Sequence, residues 1–182
     1  MVGVQGYVLR LAVEADAKAL AQVHIKSWRE IYRDVFPVHV LEKLDVAMHA
    51  EHWRSVIATV PANIVVCESD RVVIGFLSLG TSNDYDSCGT AGEITTIYLD
   101  PQHWRRGYGA ALMSWALSQA ENRGWQRINL WSLQENHRAR AFYESVGFRF
   151  DGATKLGCLS ERFSDTAELY VTLIRFSRQL VT

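Results

Sequence analysis

The order of apolar and polar residues along the chain predicts helices alternating with short strands. From Glu14 to Arg33, apolar residues recur at intervals of three and four, which is typical of an amphipathic helix. A second helical stretch runs from about Val38 to Thr59, with a break near Val46. Short β-prone runs predict seven strands. These are Gly6–Leu11, Ile64–Cys67, Val72–Leu79, Glu93–Leu99, Arg127–Ser132, Phe148–Lys155 and Ala167–Phe176.

Two further helices are expected between strands in the second half of the chain. One begins near Gly107 and ends at Gly124, a residue type that favours the C-terminal cap. The other is short, from Asn136 to Ser145, and is stopped by Gly147. This order of elements predicts an α/β fold with a mixed sheet. No linker interrupts it, so residues 1–182 are expected to form a single domain.

Composition and charge exclude several classes of function. The net charge is −1 without any basic run, which argues against nucleic acid or an anionic membrane as a partner. No apolar run approaches the ~18 residues that a membrane helix needs. The three cysteines lie far apart and form no CxxC motif, and the start of the chain lacks a signal-peptide pattern. These features predict a protein of the cytoplasm.

One candidate for chemistry is the segment Trp104–Ala110, which lies between the strand ending at Leu99 and the next helix. Its two glycines permit a tight turn whose backbone N–H groups gather at the helix N-terminus, where a pyrophosphate binds well. Arg105 and Arg106 add positive charge. An ordinary glycine-rich turn before a helix is the alternative for such a short motif.

Other phosphate-binding loops fit this segment poorly. The ATPase loop requires Gly-Lys-Ser/Thr, whereas Ala110 and Ala111 follow the second glycine here. The dinucleotide fingerprint requires Gly or Ala where Leu112 stands. A nucleotide-binding regulator is therefore disfavoured.

The residues on both sides of this segment make it more specific. Upstream, the strand Glu93–Leu99 is followed by Asp100-Pro101, and downstream comes NHRARAFYESVGF, from Asn136 to Phe148. Together with RRGYGAALM, these motifs resemble the GNAT family of N-acetyltransferases, strongly from Glu93 to Phe150 and more weakly from Tyr7 to Leu79. One departure is Trp104, which stands where the family usually has Gln or Arg.

The resemblance implies a mixed, mostly antiparallel sheet of about six to seven strands flanked by helices, and acetyl-CoA as acyl donor without a metal. It implies that the strand Glu93–Leu99 splays from Arg127–Ser132, so that the pantothenate arm pairs with backbone near Ile97 and Leu99. Tyr98 is either a half-buried strand residue or a cofactor contact through its backbone. The cofactor-binding residues are then expected to be Ile97, Tyr98, Leu99, Trp104, Arg105, Arg106, Gly107, Tyr108, Gly109, Ala110, Asn136, Ala139 and Tyr143.

Two residues are candidates for proton transfer. Tyr143 matches the position from which the family protonates the leaving thiolate, although it could be a core tyrosine. Glu93 is the candidate base, acting through water, or else a solvated carboxylate at the strand edge. Asn136 could be a helix N-cap, a hydrogen-bond partner of the pantetheine arm, or both.

The acceptor site is less well defined. Trp28, Tyr32 and Trp131 are candidates for its wall, with core packing as the alternative. Cys88 lies in a polar loop without a paired histidine, so a covalent acyl-enzyme is not expected. His49 and His52 have helical spacing but no evident third ligand, so we expect a solvated helix face and no metal.

The sequence thus predicts an N-acetyltransferase that moves an acetyl group from acetyl-CoA directly to a primary amine of a small molecule or peptide. The alternative is a non-catalytic acyl-CoA-binding sensor or scaffold of the same fold. The acceptor itself is not identified, and either a monomer or a homodimer is compatible with the sequence.

Overall fold

The computed structural model describes residues 6–34, 36–60, 63–158 and 170–180. Within these ranges the chain has an α/β fold with seven strands, as predicted. The strands are β1 (Tyr7–Leu11), β2 (Ile64–Ser69), β3 (Val72–Thr81), β4 (Ala91–Leu99), β5 (Arg127–Leu133), β6 (Arg149–Cys158) and β7 (Tyr170–Gln179). The helices are α1 (Ala17–Tyr32), α2 (Val38–Glu42), α3 (Val46–Thr59), α4 (Tyr108–Asn122) and α5 (His137–Ser145).

The seven strands form one sheet in the order β1-β2-β3-β4-β5-β7-β6. The β4–β5 ladder is parallel, whereas β1–β2, β2–β3, β5–β7 and β6–β7 are antiparallel. This confirms the mixed, mostly antiparallel sheet. The predicted strand from Ala167 is confirmed from Tyr170 onward, and its first three residues lie outside the described part of the chain.

Local sequence explains the boundaries of several elements. Asp70 and Arg71 both have positive φ, which is the geometry of a two-residue hairpin turn between β2 and β3. The second helical stretch is broken as predicted, because α3 begins with Asp45 as its N-cap, whose side chain accepts a hydrogen bond from the Met48 N–H at 2.7 Å. The first predicted helix starts with a short 3-10 turn, Glu14–Asp16, before α1.

The chain divides into two compact units. The first comprises Met1–Ser78 and Thr96–Ser114, and the second comprises Leu79–Thr95 and Trp115–Thr182. In the first, α1 packs against α3, and Leu20, Trp53 and Phe76 are almost fully buried in its core. In the second, Leu130, Phe148 and Phe176 are buried on the sheet.

The parallel ladder between β4 and β5 is short. It has four register pairs, from Ala91 opposite Arg127 to Ile94 opposite Leu130, although β4 continues to Leu99 and β5 to Leu133. Within this ladder Gly92 lies against the Trp125 ring, which leaves no room for a Cβ. Close packing therefore holds the start of β4 in place, immediately beside Glu93.

No helix in the described ranges is long and apolar enough to cross a bilayer.

Candidate active site

The loop from Trp104 to Gly107 leads directly into α4 in the first unit. Arg105 has φ of 60° and Gly107 has φ of 89°, so the backbone turns sharply before the helix. Ala111 donates the first intrahelical hydrogen bond, to the Gly107 carbonyl at 3.1 Å. The N–H groups of Tyr108, Gly109 and Ala110 consequently have no intrahelical acceptor, as in the first turn of any α-helix.

The groups around this loop suit a pyrophosphate. Arg105, Arg106 and Gly107 are exposed, so two guanidinium groups stand beside the positive end of a 15-residue helix. Tyr108 itself is buried, with its ring 5.7 Å from that of Tyr7 in an edge contact. Its side chain therefore anchors the helix start, and only its backbone is available to an anion. The residues present fit the diphosphate of CoA.

Trp104 ties this loop to the end of β4. Its indole Nε1–H donates to the Leu99 carbonyl at 2.9 Å, and the Ser27 hydroxyl donates to the same oxygen at 2.7 Å. A carbonyl oxygen has two lone pairs, so that of Leu99 has no further capacity. Trp104 thus fastens the loop to the end of β4, and the binding of a cofactor by Trp104, Leu99 and Ile97 stays a prediction.

Tyr98 and Trp28 pack against His24 in the first unit, and Tyr32 packs against Trp28. The Trp28 Nε1–H donates to the Tyr98 hydroxyl at 2.7 Å, and the Tyr98 ring is stacked on His24 with centroids 4.4 Å apart. Trp28 and Tyr32 are 3% and 5% exposed, and their rings are 4.9 Å apart. Core packing therefore accounts for both residues, and their contribution to an acceptor pocket stays a prediction.

One prediction about this region is wrong. His49 is not on a solvated helix face, because its ring is buried 5.3 Å from that of His24 and its Nδ1 lies 2.9 Å from the Asp45 carbonyl oxygen. The packing of α1 on α3 brings these rings together. His52, one turn further, is exposed. Among the described residues, no group of three His, Cys, Asp or Glu side chains could hold a metal ion.

In the second unit, Glu93 belongs to a row of polar residues across three strands. Glu93 is in register with Asn129, and Asn129 is in register with Ser177. Asn129 is fully buried, and its Oδ1 accepts a hydrogen bond from the Ser177 hydroxyl at 2.9 Å. Trp131 lies two residues beyond Asn129 on β5, hence on the same face, opposite Arg175 of β7.

A single buried guanidinium holds the loop between β3 and β4 against this face. Arg175 is 5% exposed and binds Asp86 through two hydrogen bonds of 2.7 Å, Asp84 at 3.1 Å and Asp151 at 2.7 Å. Asp84 also accepts from Trp131 Nε1 at 3.2 Å. The Arg175 guanidinium holds the pKa of Asp86 below its usual range.

Sequence reasoning missed this cluster. The polar loop that contains Cys88 was expected, but not its contacts, and it begins after Thr81, where β3 ends. The available signal was a charged residue, Arg175, in the middle of an apolar strand, since such a residue is rarely buried unless it is paired. Nothing in the spacing identified its three partners.

The surroundings of Glu93 alter its acidity. Burial raises the pKa of its carboxyl group, the negative charge of Asp84 raises it further, and Lys155 and Arg175 oppose this effect. The carboxylate therefore keeps a proton to higher pH than an exposed glutamate does. A carboxylate with a raised pKa is a stronger base in its ionised form, which suits it to accept a proton from an amine or a water.

Tyr143 and Asn136 belong to α5. Asn136 is the N-cap, as predicted, and its Oδ1 accepts from the Ala139 N–H at 3.1 Å, so its amide Nδ2 remains as the donor. Tyr143 is 8% exposed, and its ring lies 5.7 Å from that of Phe176. Both residues are thus held firmly, and the roles toward a cofactor stay predictions.

Cys67 is not an available nucleophile. Burial raises the pKa of the Cys67 thiol to about 11, so this residue is protonated at neutral pH. Cys88 is exposed in the loop that Arg175 anchors, with φ of 45°. A direct transfer, without an acyl-enzyme, remains the expected chemistry.

Comparisons with known proteins identify a family for this chain. The family model described as "Acetyltransferase (GNAT) family" matches residues 25–148. The uncharacterized N-acetyltransferase YuaI of Bacillus subtilis is 28% identical over 128 residues, which are 70% of this chain and 72% of that protein.

Solved structures share the fold. The PaiA N-acetyltransferase from Thermoplasma acidophilum, in complex with coenzyme A, has a TM-score of 0.75 at 17% identity. The alignment covers 97% of this chain and 100% of the PaiA chain. The YncA structure from Salmonella typhimurium, which contains acetyl-CoA, has a TM-score of 0.67 at 19% identity, covering 98% and 96% of the two chains. At these identities the similarity shows the fold alone.

Proposed function

This chain belongs to the GNAT acetyltransferase family, an acetyl-CoA-dependent class, and we propose that it transfers the acetyl group to a primary amine of a small molecule or peptide. The observation that supports this most is the position of the half-buried Glu93 on β4. Glu93 is in register with Asn129, which lies on the same face of β5 as Trp131. The pKa of Glu93 is raised by burial and by Asp84. That arrangement provides a base beside polar and aromatic groups able to receive an amine.

In this proposal, backbone and side-chain groups of three segments bind acetyl-CoA. The N–H groups of Tyr108, Gly109 and Ala110 hold the pyrophosphate with help from Arg105 and Arg106, and the backbone near Ile97 pairs with the pantothenate arm. Asn136 Nδ2 donates to the same arm. When bound, acetyl-CoA supplies a thioester, which is an activated acyl group.

Two proton movements then complete the transfer. The acceptor reaches the site largely as an ammonium ion, and the Glu93 carboxylate takes its proton through a water molecule. The Tyr143 hydroxyl donates a proton to the departing sulfur. Burial raises the pKa of Glu93, so the low-pH limb of the reaction reports on this carboxyl group.

The charges around Glu93 favour a cationic acceptor. Glu93 is electrostatically coupled to Asp84, Lys155 and Arg175. Arg175 also pairs with Asp86 and Asp151, and Arg127 pairs with Asp86, so the linked cluster has four carboxylates and three cations. An acceptor with its own carboxylate close to the amine would add to the excess of negative charge. We therefore infer that the acceptor is an amine without a neighbouring carboxylate.

A panel of amines tests the activity. The protein is incubated with acetyl-CoA and with alkylamines, polyamines, amino acids and peptides, and the products are identified by mass spectrometry alongside release of CoA thiol. Acetylation of at least one amine at an enzymatic rate is expected. CoA binding without transfer to any amine would instead support the non-catalytic acyl-CoA-binding module.

Replacing Glu93 by glutamine should lower kcat/KM at neutral pH by roughly 10²-fold, because it removes a general base while keeping the size of the side chain. The kcat/KM of the variant should partly recover as the pH rises, because free amine then becomes abundant. In the unmodified protein, activity should fall as pH decreases through the raised pKa of Glu93, hence at a higher pH than that at which an exposed glutamate titrates.

The pH–rate profiles of the variant and the unmodified protein are the measurement. Glu121→Gln, an exposed position on α4, is the control and should leave the profile unchanged. CoA affinity should be equal in all three proteins. If the Glu93→Gln profile overlays that of the unmodified protein, another group or bulk water is the base.

We also propose that the chain acts in the cytoplasm as one domain, as a monomer or homodimer; these stay predictions from the sequence.

A further inference from the structure

A primary amine of the protein itself lies on the polar face that carries Glu93. The Lys155 Nζ atom is 3.9 Å from the centroid of the Trp131 ring, which is a close cation–π contact. The ring is oriented by its own N–H, which donates to Asp84 Oδ1 at 3.2 Å. Lys155 belongs to β6 and is exposed, so its amine combines a defined location with freedom to move.

This amine is also electrostatically coupled to the candidate base. The charged groups that act on Glu93 are Asp84, which raises its pKa, and Lys155 and Arg175, which lower it. Arg175 is engaged with three carboxylates, and a guanidinium does not lose its proton in proteins. Of these neighbours, Lys155 has the chemistry of an acetyl acceptor, since an ammonium becomes a nucleophilic amine when one proton is removed.

We propose that Lys155 is an internal acceptor, and that the protein acetylates its own Lys155 side chain with acetyl-CoA. This modification presupposes the acetyltransferase activity proposed above. The Trp131 ring holds the ε-ammonium where an external amine would otherwise be received. Lys155 thus occupies part of the acceptor site in the unmodified protein.

The reaction is balanced without a further reagent. The Lys155 ammonium gives one proton to the Glu93 carboxylate, directly or through water, and the free Nζ lone pair attacks the thioester carbonyl carbon. A C–N bond forms, the C–S bond breaks, and the thiolate leaves as CoA thiol after taking up a proton. The nitrogen loses its second proton to solvent, so the products are an amide, CoA thiol and one proton.

Acetylation at this position would change the acceptor site itself. The neutral acetyl-lysine loses its attraction to the Trp131 face and no longer opposes the raised pKa of Glu93. The modified side chain is an amide and cannot be acetylated again, so each chain reacts once. An external cationic amine then no longer competes with Lys155 for the ring.

The distribution of lysines makes the test simple. The chain has four, Lys18, Lys26, Lys43 and Lys155, so Lys155 is the sole lysine beyond residue 43. Lys26 is paired with Asp100 at 2.8 Å, and Lys18 is exposed on α1. Acetylation at Lys18 therefore measures the background reaction of an exposed lysine with acetyl-CoA.

The experiment follows acetylation of the full chain with acetyl-CoA by peptide mass spectrometry over time. Lys155 should be modified at least about tenfold faster than Lys18, because a positioned amine reacts faster than a diffusing one. The rate constant should not depend on protein concentration. Lys155→Arg should show background labelling only, Lys18→Arg should keep the fast phase, and Glu93→Gln should slow it at neutral pH.

Trp131→Phe and Trp131→Leu test the placement of the amine. Phenylalanine keeps an aromatic face and should slow the fast phase less than leucine does. Equal labelling of Lys155 and Lys18, an unchanged rate in Trp131→Leu, or a rate proportional to protein concentration would each overturn internal acetylation. If external amines are acetylated and Lys155 is not, internal acetylation is wrong and the proposed function stands. If neither external amines nor Lys155 are acetylated, the proposed function itself is contradicted.

Discussion

Replacing Tyr143 by phenylalanine should lower kcat by ~10²–10⁴-fold while leaving the affinity for acetyl-CoA nearly unchanged. The substitution removes the hydroxyl group alone. The ring is 8% exposed and packs against Phe176, so its contacts with the core are retained and the fold is expected to persist. Without the phenol the thiolate departs unprotonated, which slows the chemical step and not binding.

Steady-state kinetics with the best amine of the panel, together with calorimetry of CoA binding, separate these effects. Tyr170→Phe is a matched control, since that residue is 57% exposed at the start of β7 and its hydroxyl has no assigned role. A turnover of Tyr143→Phe within about twofold of the unmodified enzyme would mean that the tyrosine is structural. Weakened CoA binding with unchanged kcat would assign it to holding the cofactor.

Replacing Gly109 by valine should abolish measurable binding of CoA. Gly109 is in the first turn of α4, where N–H groups without intrahelical partners are proposed to receive the pyrophosphate. A branched side chain at this point would keep the phosphate oxygens away from the backbone. Losing two charge-assisted hydrogen bonds costs about 3 kcal/mol or more, which is a ~10²-fold or greater loss of affinity.

Calorimetric titration with CoA measures this loss, and thermal unfolding verifies that the variant is folded. Gly109→Ala adds one methyl group and should give an intermediate affinity, which keeps the test informative if the valine variant is unstable. Ser114→Val places the same side chain at an exposed position of α4 and should bind CoA normally. Unchanged affinity in Gly109→Val would show that the pyrophosphate binds elsewhere.

Local sequence determined most of the elements because backbone geometry responds to neighbours in the chain. The three-and-four spacing of apolar residues located α1, and the break near Val46 separated α2 from α3. A short polar segment that includes Ser69-Asp70-Arg71 separates the predicted strands Ile64–Cys67 and Val72–Leu79, and the hairpin turn forms at Asp70 and Arg71. Strand ends were less accurate, and β3 and β4 extend two residues beyond their predicted bounds at Thr81 and Ala91.

The candidate cofactor loop and Glu93 could also be found in the sequence. A pyrophosphate site at a helix N-terminus is built from consecutive backbone N–H groups, so its signature is contiguous. The motifs around it identified the family without any knowledge of tertiary contacts. The presence of Trp104 in place of the usual Gln or Arg could likewise be recognised in the sequence. Its hydrogen bond to the Leu99 carbonyl could not.

The tertiary structure alone decided which polar groups meet. Arg175 reaches Asp84 and Asp86 across 91 and 89 positions of the chain, and Lys155 of β6 meets Trp131 of β5. His49 is buried for a similar reason, because α1 places His24 against it. Such partners are selected by strand register and by the packing of distant elements, and neither leaves a periodic trace in the sequence. The chain's local patterns therefore determined its elements and its candidate cofactor loop, whereas the surroundings of Glu93 depend on the folded sheet.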